Sequence, residues 1–442
     1  MHRLRIGLIY ILVLGFSVFL QAELRKENIT VHQLANGLKI LLLEDHDIPN
    51  IAYYTFFRVG SRNERPGLTG VSHFIEHMMF NGTEKFGPGE FDRIMEFLGG
   101  SNNAYTGDDM TVYTNWYPAA ALEKMIALEA DRIQSLIFDP QVLESERGVI
   151  ASERRLSVEN NNENLLEETV RATAIMAHPY HWSVMGWMSD ILNWKRDEIM
   201  NYYRTYYSLN NAVVVVVGDF STPKILEWIT TYYSPIPRGP EPPAVITVEP
   251  PQMGPKRISL QKDAQTPSFL MVYHVPELTH SDFPGLQMLD IILLQGESSR
   301  LYRRLVDQSQ LAIEVSGGIS QTIDPSLFYI TVKPTSDADL GQIEKMIEEE
   351  LAKIINEGVS PNEIQKAKNT IRTNFYMPLQ TIAGKANMLG RSEILLGGYE
   401  NLFTLMEKFN PITPQHIQDL CRKYFTARNK TVGVLIPEGG SR

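Results

Sequence analysis

The stretch from Gly70 to Thr83, GVSHFIEHMMFNGT, constrains this chain more than any other. His73, Glu76 and His77 stand in an apolar run without proline or internal glycine, which predicts a buried helix. Residues four apart share one face of a helix, so the two histidines are neighbours and Glu76 lies beside them. Because imidazole nitrogens suit zinc, this stretch is half of a candidate zinc site.

The order H-x-x-E-H reverses the H-E-x-x-H motif, in which two histidines bind zinc and the glutamate acts as a base. A catalytic zinc keeps three protein ligands and one open position, and an adjacent carboxylate can take a proton from the water that the metal activates. Two core histidines and a glutamate on an ordinary helix remain the alternative. The motif therefore needs a third ligand, acidic or imidazole, from another element.

Residues 1–22 are predicted to be a secretory signal peptide. Arg3 and Arg5 precede an apolar run from Ile6 to Leu20 that ends near Ala22, which is typical of an exported chain. Leu20 is not ideal for cleavage after Ala22, so an uncleaved anchor stays open as the alternative. After cleavage we expect no stable membrane span, and a periplasmic location if the source is a Gram-negative bacterium.

Charge and cysteine content narrow the class of protein. The net charge of −11 leaves no basic stripe to neutralise phosphates, which argues against a nucleic-acid partner. Cys421 is the only cysteine, so an exported chain has no internal disulfide and relies on its core for stability. The length of 442 residues is ample for two domains.

Hydrophobic periodicity predicts two halves of similar element order. The first half, 23–234, should contain strands at 38–43, 51–59, 111–116 and 211–219, and helices at 71–80, 88–98, 188–207 and 223–233. A proline-rich linker at 235–256 should act as a stiff spacer that holds the halves apart. The second half, 257–442, repeats strands and helices and ends in a long helical tail.

The expected fold class is therefore α+β, with two homologous domains, each an antiparallel-rich sheet packed with helices, that form a clamshell. If Asn81-Gly82 is set against Gln295-Gly296, the second copy has lost the motif. The residues that then replace His73, Glu76 and His77 are Gln287, Asp290 and Ile291.

A second helix carries two acidic residues on one face. Asp139 is a predicted N-cap with Pro140 at the first helical position, and Glu146 and Glu153 follow on the same side. In GGSNNAYTGDDMTVYTNWYP, the alternation over 111–116 predicts a half-exposed strand. A strand of this kind near the metal helix could bind an extended peptide along its edge, although a strand of this composition is more often just part of a sheet.

These motifs together resemble the pitrilysin/insulinase family of zinc peptidases, in particular its small two-domain bacterial and mitochondrial-processing-peptidase-like branch. HFIEH and ERGVIASE are the most specific matches, and the resemblance covers nearly everything after the signal. The other matching blocks are ANGLKILLLED, VGSRNE, FNGTEKF, GGSNNAYTGDDMTVY, HPYHWSVMGW and VVVVVGDF.

The resemblance implies a zinc endopeptidase that acts on peptides or unfolded segments, with one Zn²⁺ per chain. It implies His73, His77 and Glu153 as zinc ligands. It also implies Glu76 as the general base and Glu146 as a supporting acid in the catalytic site. The substrate-binding strand that it implies contains Asn103, Ala104 and Tyr105.

Two other classes of protein remain open. A non-catalytic scaffold or chaperone-like member of the same family should have lost a ligand, whereas all three are present. A purely structural zinc site would favour cysteine ligands, and none is near. His178 and His181 are possible ligands by residue type, but the three-ligand set is already complete and the resemblance makes their loop structural.

The resemblance also indicates that this chain lacks two substrate-binding side chains. Active single-chain relatives carry an arginine and a tyrosine in the second domain, seven residues apart, that reach towards the substrate. Val306 and Ile313 occupy those positions here, and Arg300 is out of register and suited to packing or a surface ion pair. We therefore expect the partner to be a homologous subunit that supplies the Arg/Tyr pair in a heterodimer.

Overall fold

The computed structural model describes residues 24–438, and the predicted signal peptide lies outside them. Within 24–438, no helix combines the length and apolar character needed to cross a membrane. The described chain folds into two units of mixed helix and sheet, one on each side of the proline-rich segment. The predicted α+β class is confirmed.

The first unit contains six strands and eight helices. Its strands are β1 (Ile29–Gln33), β2 (Lys39–Glu44), β3 (Asn50–Phe57), β4 (Ser101–Thr106), β5 (Thr111–Pro118) and β6 (Ala212–Gly218). Its helices are α1 (Val71–Met78), α2 (Glu90–Phe97), α3 (Leu122–Ser135), α4 (Pro140–Arg154), α5 (Asn162–Ala174), α6 (Met188–Ile191), α7 (Arg196–Tyr206) and α8 (Thr222–Tyr233).

The second unit contains five strands and six helices. Its strands are β7 (Lys256–Lys262), β8 (Ser268–Val275), β9 (Ala312–Ile319), β10 (Ser326–Pro334) and β11 (Lys430–Pro437). Its helices are α9 (Phe283–Leu293), α10 (Arg300–Tyr302), α11 (Leu340–Glu357), α12 (Pro361–Tyr376), α13 (Ile382–Leu395) and α14 (Pro414–Tyr424).

The two sheets share one topology. The first has the order β1-β2-β6-β3-β5-β4, and the second has β7-β11-β8-β10-β9. In each, one parallel pair (β2 with β6, β7 with β11) is followed by antiparallel pairs only. The second sheet is therefore a copy of the first without an equivalent of β1, and α9 occupies the place that α1 has in the first unit.

Each unit covers one face of the other unit's sheet with a helix. Helix α13 of the second unit packs on β3 and β6, where Ala386 and Leu389 join the buried residues of the first sheet. Helix α5 of the first unit packs on β8 and β11, through Leu166 and Val170. The run of valines in β6 is consequently buried on both faces, as the sequence predicted.

Two glycines allow α13 and α5 to approach the sheets that they cover closely. A Cβ on Gly390 of α13 would lie 2.1 Å from the ring of Phe56, and one on Gly433 of β11 would lie 2.2 Å from Val170. The halves thus touch through shared cores. The proline-rich segment, which has no helix or strand between 237 and 255, does not hold them apart, contrary to the prediction.

Three further predictions needed correction. The strand at 111–116 is β5, which is mostly buried and not half-exposed; it lies between β3 and β4, so the alternative of an ordinary part of a sheet holds. The helix predicted over 188–207 is interrupted at 192–195, where Trp194 turns into the core and donates from its ring nitrogen to the Thr69 carbonyl, 3.2 Å away. The helical tail ends in a strand, β11, in the interior of the second sheet.

Candidate active site

Helix α1 is held at its first turn by a buried carboxylate. Glu64 accepts hydrogen bonds from the backbone N–H groups of Gly70 (2.7 Å) and Ser72 (2.8 Å), two of the donors that a helix start leaves unsatisfied. Burial raises the pKa of Glu64 to about 8, although these two bonds oppose the rise. Gly70 has φ +82° and lies against Gly186, so the entry into α1 has no space for a side chain.

Helix α4 carries the two acidic residues of the motif ERGVIASE. Asp139 caps it as predicted, accepting from the N–H groups of Gln141 and Val142 at 2.8 and 3.2 Å. Arg147 donates to backbone carbonyls of the α6–α7 region, including that of Trp194 at 2.8 Å. Arg154 forms a two-pronged ion pair with Glu168, with both N–O distances 2.9 Å. These buried arginines fix the rotation of α4, and the two acids next to them in sequence turn towards α1.

The structure brings His73, His77 and Glu153 together. One ligand atom from each lies within 4.8 Å of the other two. Glu153 Oε2 is 3.8 Å from Nε2 of His73 and 3.6 Å from Nε2 of His77. These separations are too long for hydrogen bonds. The two imidazole nitrogens and the carboxylate oxygen therefore point into one common space without hydrogen bonds between the histidines and Glu153.

Glu146 lies behind the cluster. Its Oε1 is 2.8 Å from Nδ1 of His77, and its Oε2 accepts from the side-chain amide of Asn81 at 3.0 Å. A carboxylate on the far nitrogen of a histidine fixes the ring and leaves Nε2 as the atom with a lone pair. Nδ1 of His73 is buried and has no such partner among residues 24–438.

The electrostatics of the two histidines differ. Burial and the neighbouring His77 lower the pKa of His73 to about 3, so this ring is neutral and able to act as a ligand. Burial opposes protonation of His77, but the hydrogen bond and charge of Glu146 outweigh it and raise the pKa of His77. The hydrogen bond from His77 in turn lowers the pKa of Glu146.

The arrangement fits a zinc ion. Two imidazole nitrogens and one carboxylate oxygen are a ligand set of catalytic zinc, and ligand atoms about 2.1 Å from a tetrahedral ion lie about 3.4 Å apart. The spacings of 3.6 and 3.8 Å are slightly wider than this. The Glu153 side chain is 42% exposed and that of His77 is 26% exposed, so the cluster is open to solvent on the side of these two residues.

Glu76 is buried beside the three donors but is not one of them. Its Oε2 accepts a hydrogen bond from the hydroxyl of Thr106, the last residue of β4, at 2.5 Å. Burial raises the pKa of Glu76 in spite of that bond and the charge of His77. Thr106 therefore holds one carboxylate oxygen and joins α1 directly to β4.

Strand β4 contains Asn103, Ala104 and Tyr105 and forms the outer edge of its sheet. Its side chains alternate, with Asn103 and Tyr105 exposed and Ala104 packed against the first core. The hydroxyl of Tyr105 donates to the side-chain oxygen of Asn387 in α13, 3.2 Å away. The free edge near His73, His77 and Glu153 is thus β4, because β5 lies inside the sheet.

The loop with His178 and His181 lies elsewhere. His178 Nε2 is 3.0 Å from Asp324 of the second unit, and its Nδ1 accepts from the N–H of Tyr180. Neither histidine belongs to the group of possible metal ligands in the described residues. This loop joins the two units.

Sequence reasoning missed four supporting residues. Glu64 accepts a hydrogen bond from the start of α1, Thr106 donates to Glu76, Asn81 donates to Glu146, and Arg154 of α4 pairs with Glu168. Of these four, only Arg154 could have been found from sequence. The Glu-Arg pair occurs twice in ERGVIASER, and a spacing of seven puts both acids on one helix face and both arginines on the neighbouring face.

Family models match most of the chain. A model described as "Insulinase (Peptidase family M16)" matches residues 39–186, and one described as "Peptidase M16 inactive domain" matches residues 193–371. The chain belongs to the insulinase (M16) family. The first match contains His73, Glu76, His77 and Glu146, and also Glu153. The second contains Gln287, Asp290 and Ile291, which replace the motif in α9.

Relatives extend over the whole chain. A protein named "Zinc protease PqqE" from Helicobacter pylori is 29% identical over 434 residues, which is 97% of each chain. An "Uncharacterized zinc protease YmxG" from Bacillus subtilis is 23% identical and covers 91% of this chain and 97% of its own.

Solved structures share the fold. A protease from Helicobacter pylori superposes with a TM-score of 0.89 at 28% identity, over 92% of this chain and 99% of that one. The periplasmic protease PqqL from Escherichia coli, at 20% identity and a TM-score of 0.77, is matched over 94% of this chain but only 48% of its own. This fold thus occurs both as a whole chain and as part of a longer one.

Proposed function

We propose that this protein is a zinc endopeptidase that hydrolyses peptides or unfolded protein segments. The observation that carries the proposal is the convergence of His73, His77 and Glu153 with Glu76 beside them. Zinc held by the three ligands would supply a Lewis acid that polarises the scissile carbonyl and acidifies a water molecule. Relatives named zinc proteases support this choice of metal.

The protein's own groups perform the proton transfers. Thr106 occupies Oε2 of Glu76, so we assign the proton to Oε1, which accepts it from the attacking water and returns it to the leaving amine. Glu146 keeps His77 in one orientation through Nδ1. The free edge of β4 pairs with the extended peptide, whose backbone then runs beside Glu76.

Substitution of the base tests the catalytic assignment. Glu76→Gln should keep one zinc per chain and lose about 10²–10⁴-fold or more in the rate of peptide hydrolysis. Metal content by atomic absorption and cleavage of an unstructured peptide are the two measurements. Loss of zinc in this variant, or unchanged activity, contradicts the role. A wild-type protein that binds unfolded peptides without cutting them, alone or with a partner, supports the scaffold function instead.

We further propose that the chain acts as the zinc-bearing subunit of a heterodimer. Val306 is half-buried against the second core and Ile313 is 56% exposed on β9, and neither side chain can donate a hydrogen bond to a substrate. Arg300 is bound to Glu363, with N–O distances of 2.6 and 3.0 Å. Loss of one such donor can lower a rate by about 10²–10³-fold.

The length of a relative agrees with a two-part enzyme. The fold of this chain corresponds to about half of PqqL, and a structure titled as the first half of PqqL matches it over 94% of this chain. A second copy of the present chain would bring the same valine and isoleucine, so a homodimer would not supply the missing donors. The periplasmic description of PqqL also favours export of this chain, with the signal at 1–22 as the route.

Mixing tests the heterodimer. The isolated zinc-loaded chain should cleave unstructured peptides slowly, and a homologue that carries the Arg/Tyr pair but no H-x-x-E-H should raise the rate about 10²-fold or more. A homologue with both donors replaced by Val and Ile is the control. Full activity of the chain alone, with no gain on mixing, rules out the two-subunit arrangement.

A further inference from the structure

The free edge of β4 determines where substrate side chains go. In a strand added to this edge, successive side chains point to opposite faces of the sheet. A residue paired with Thr106 or Ala104 faces α1 and the zinc ligands, while one paired with Tyr105 faces α13 of the second unit. Recognition of a substrate side chain on that second face rests on the proposed peptide binding at β4.

Arg391 lies on this face. It follows Asn387 by one helical turn in α13, and Asn387 accepts the hydrogen bond of the Tyr105 hydroxyl. Burial raises the pKa of Tyr105, and the charge of Arg391, one helical turn from the Asn387 that the Tyr105 hydroxyl contacts, opposes that rise. Arg391 itself is half-buried.

The charge of Arg391 is not balanced by the protein. Other cations between α13 and the first sheet have carboxylate partners: Lys385 is 2.6 Å from Asp45, and Glu393 binds both Lys39 (2.8 Å) and Arg58 (3.1 Å). No carboxylate of residues 24–438 lies within ion-pair distance of Arg391. In a chain of net charge −11, Arg391 is thus a half-buried arginine without an acid partner among residues 24–438.

We propose that Arg391 binds an acidic side chain of the substrate, at the peptide position that pairs with Tyr105. The protein then prefers peptides with glutamate or aspartate at that position, an odd number of residues from those that face the zinc ligands. Asn387 and the Tyr105 hydroxyl contribute polar neighbours to the same subsite. The preference comes from the second unit although the catalytic groups are in the first, because α13 covers the first sheet.

A peptide scan tests the proposal without requiring turnover. One glutamate is moved stepwise along an otherwise uncharged, unstructured peptide, and each peptide has a glutamine counterpart. Binding to the zinc-loaded Glu76→Gln chain is measured by fluorescence anisotropy. Glutamate should strengthen binding about 5- to 10-fold at one position, with weaker effects two residues away, as for a partly exposed ion pair.

Two variants locate the effect. Arg391→Met keeps the volume of the side chain and should abolish the preference for glutamate, while binding of the glutamine peptides stays the same. Arg372→Met removes the same charge from an exposed site on α12 and should leave the preference intact. An equal preference in wild type and Arg391→Met, no preference at any position, or no binding of any peptide overturns the subsite.

The outcome is separable from that of the proposed function. If the wild-type chain with its partner cuts no peptide but shows the Arg391-dependent preference, hydrolysis is wrong and the subsite stands. If it cuts peptides without regard to glutamate, hydrolysis stands and the subsite is wrong.

Discussion

Glu146 and Glu153 lie on the same face of α4 but contact the histidines differently. Glu153 shares a common space with both Nε2 atoms, whereas Glu146 bonds to the far nitrogen of His77. The sequence placed both acids on one face but could not rank them. That ranking came from a family resemblance, and the distances now give it a physical reason.

Zinc titration of two variants tests this difference. Glu146→Gln should weaken zinc binding by about 10- to 100-fold, because Glu146 only orients His77. Glu153→Gln should weaken it considerably more, because a charged ligand is replaced by a neutral amide. Competition with a chromophoric chelator measures both, and wild type and Glu96→Gln, an exposed acid on α2, are the controls. Equal affinities of the two variants would remove Glu153 from the ligand set.

Residues that support the site were harder to predict than the ligands. Thr106 and Glu64 are ordinary residues in a strand and a loop, and their roles depend on contacts 30 and 6 to 8 positions away in sequence. Motif spacing reports which residues share a helix face. It does not report which side chain from another element reaches them.

At the scale of elements, the helices near the site were predictable and the sheet edges were not. Hydrophobic periodicity gave the bounds of α1 and α2 within about two residues, and the Asp139 cap with Pro140 gave the start of α4. By contrast, the alternation in β5 could not show whether that strand lies at an edge or inside the sheet, and β11 was missed at the end of the predicted helical tail. Which strand is outermost depends on long-range pairing, which alternation does not encode.

The start of α1 offers a test of how an element orients a site. Glu64→Ala leaves two buried N–H groups without an acceptor and should lower the free energy of unfolding by about 1–3 kcal/mol. Because α1 carries both histidines, zinc affinity should fall with it, and the absorption spectrum of the cobalt-substituted protein should change. Thermal unfolding and metal titration measure the two effects.

The control for that test is another carboxylate cap, far from the zinc ligands. Asp339 accepts from the N–H groups of Gly341 and Gln342 at the start of α11. Asp339→Ala should cost about 0.5–2 kcal/mol in stability and leave zinc affinity unchanged. If Glu64→Ala loses stability but keeps both zinc affinity and the cobalt spectrum, Glu64 supports the fold without orienting the histidines.

At the scale of the whole molecule, the repeat was predictable and the exchange of helices was not. Local element order gave two similar halves, and the shared sheet topology confirms the copy. Helix α13, however, buries Lys385 and Glu393, which from sequence alone are typical of a solvated face. Their partners Asp45, Lys39 and Arg58 belong to the first unit, so only the assembled structure accounts for their burial.

The crossing of α13 over the first sheet predicts that the two units unfold together. Gly390→Ala would place a methyl group 2.1 Å from the ring of Phe56 and should destabilise the metal-free chain by about 1–3 kcal/mol through overpacking. Gly148→Ala is the matched control, because no atom lies within 4 Å of its Cβ position on α4. There, alanine should stabilise the chain by about 0.5–1 kcal/mol.

Denaturant unfolding followed by tryptophan fluorescence should show one transition that shifts as a whole in Gly390→Ala. Two transitions, of which only the second unit's moves, would mean that α13 does not couple the units.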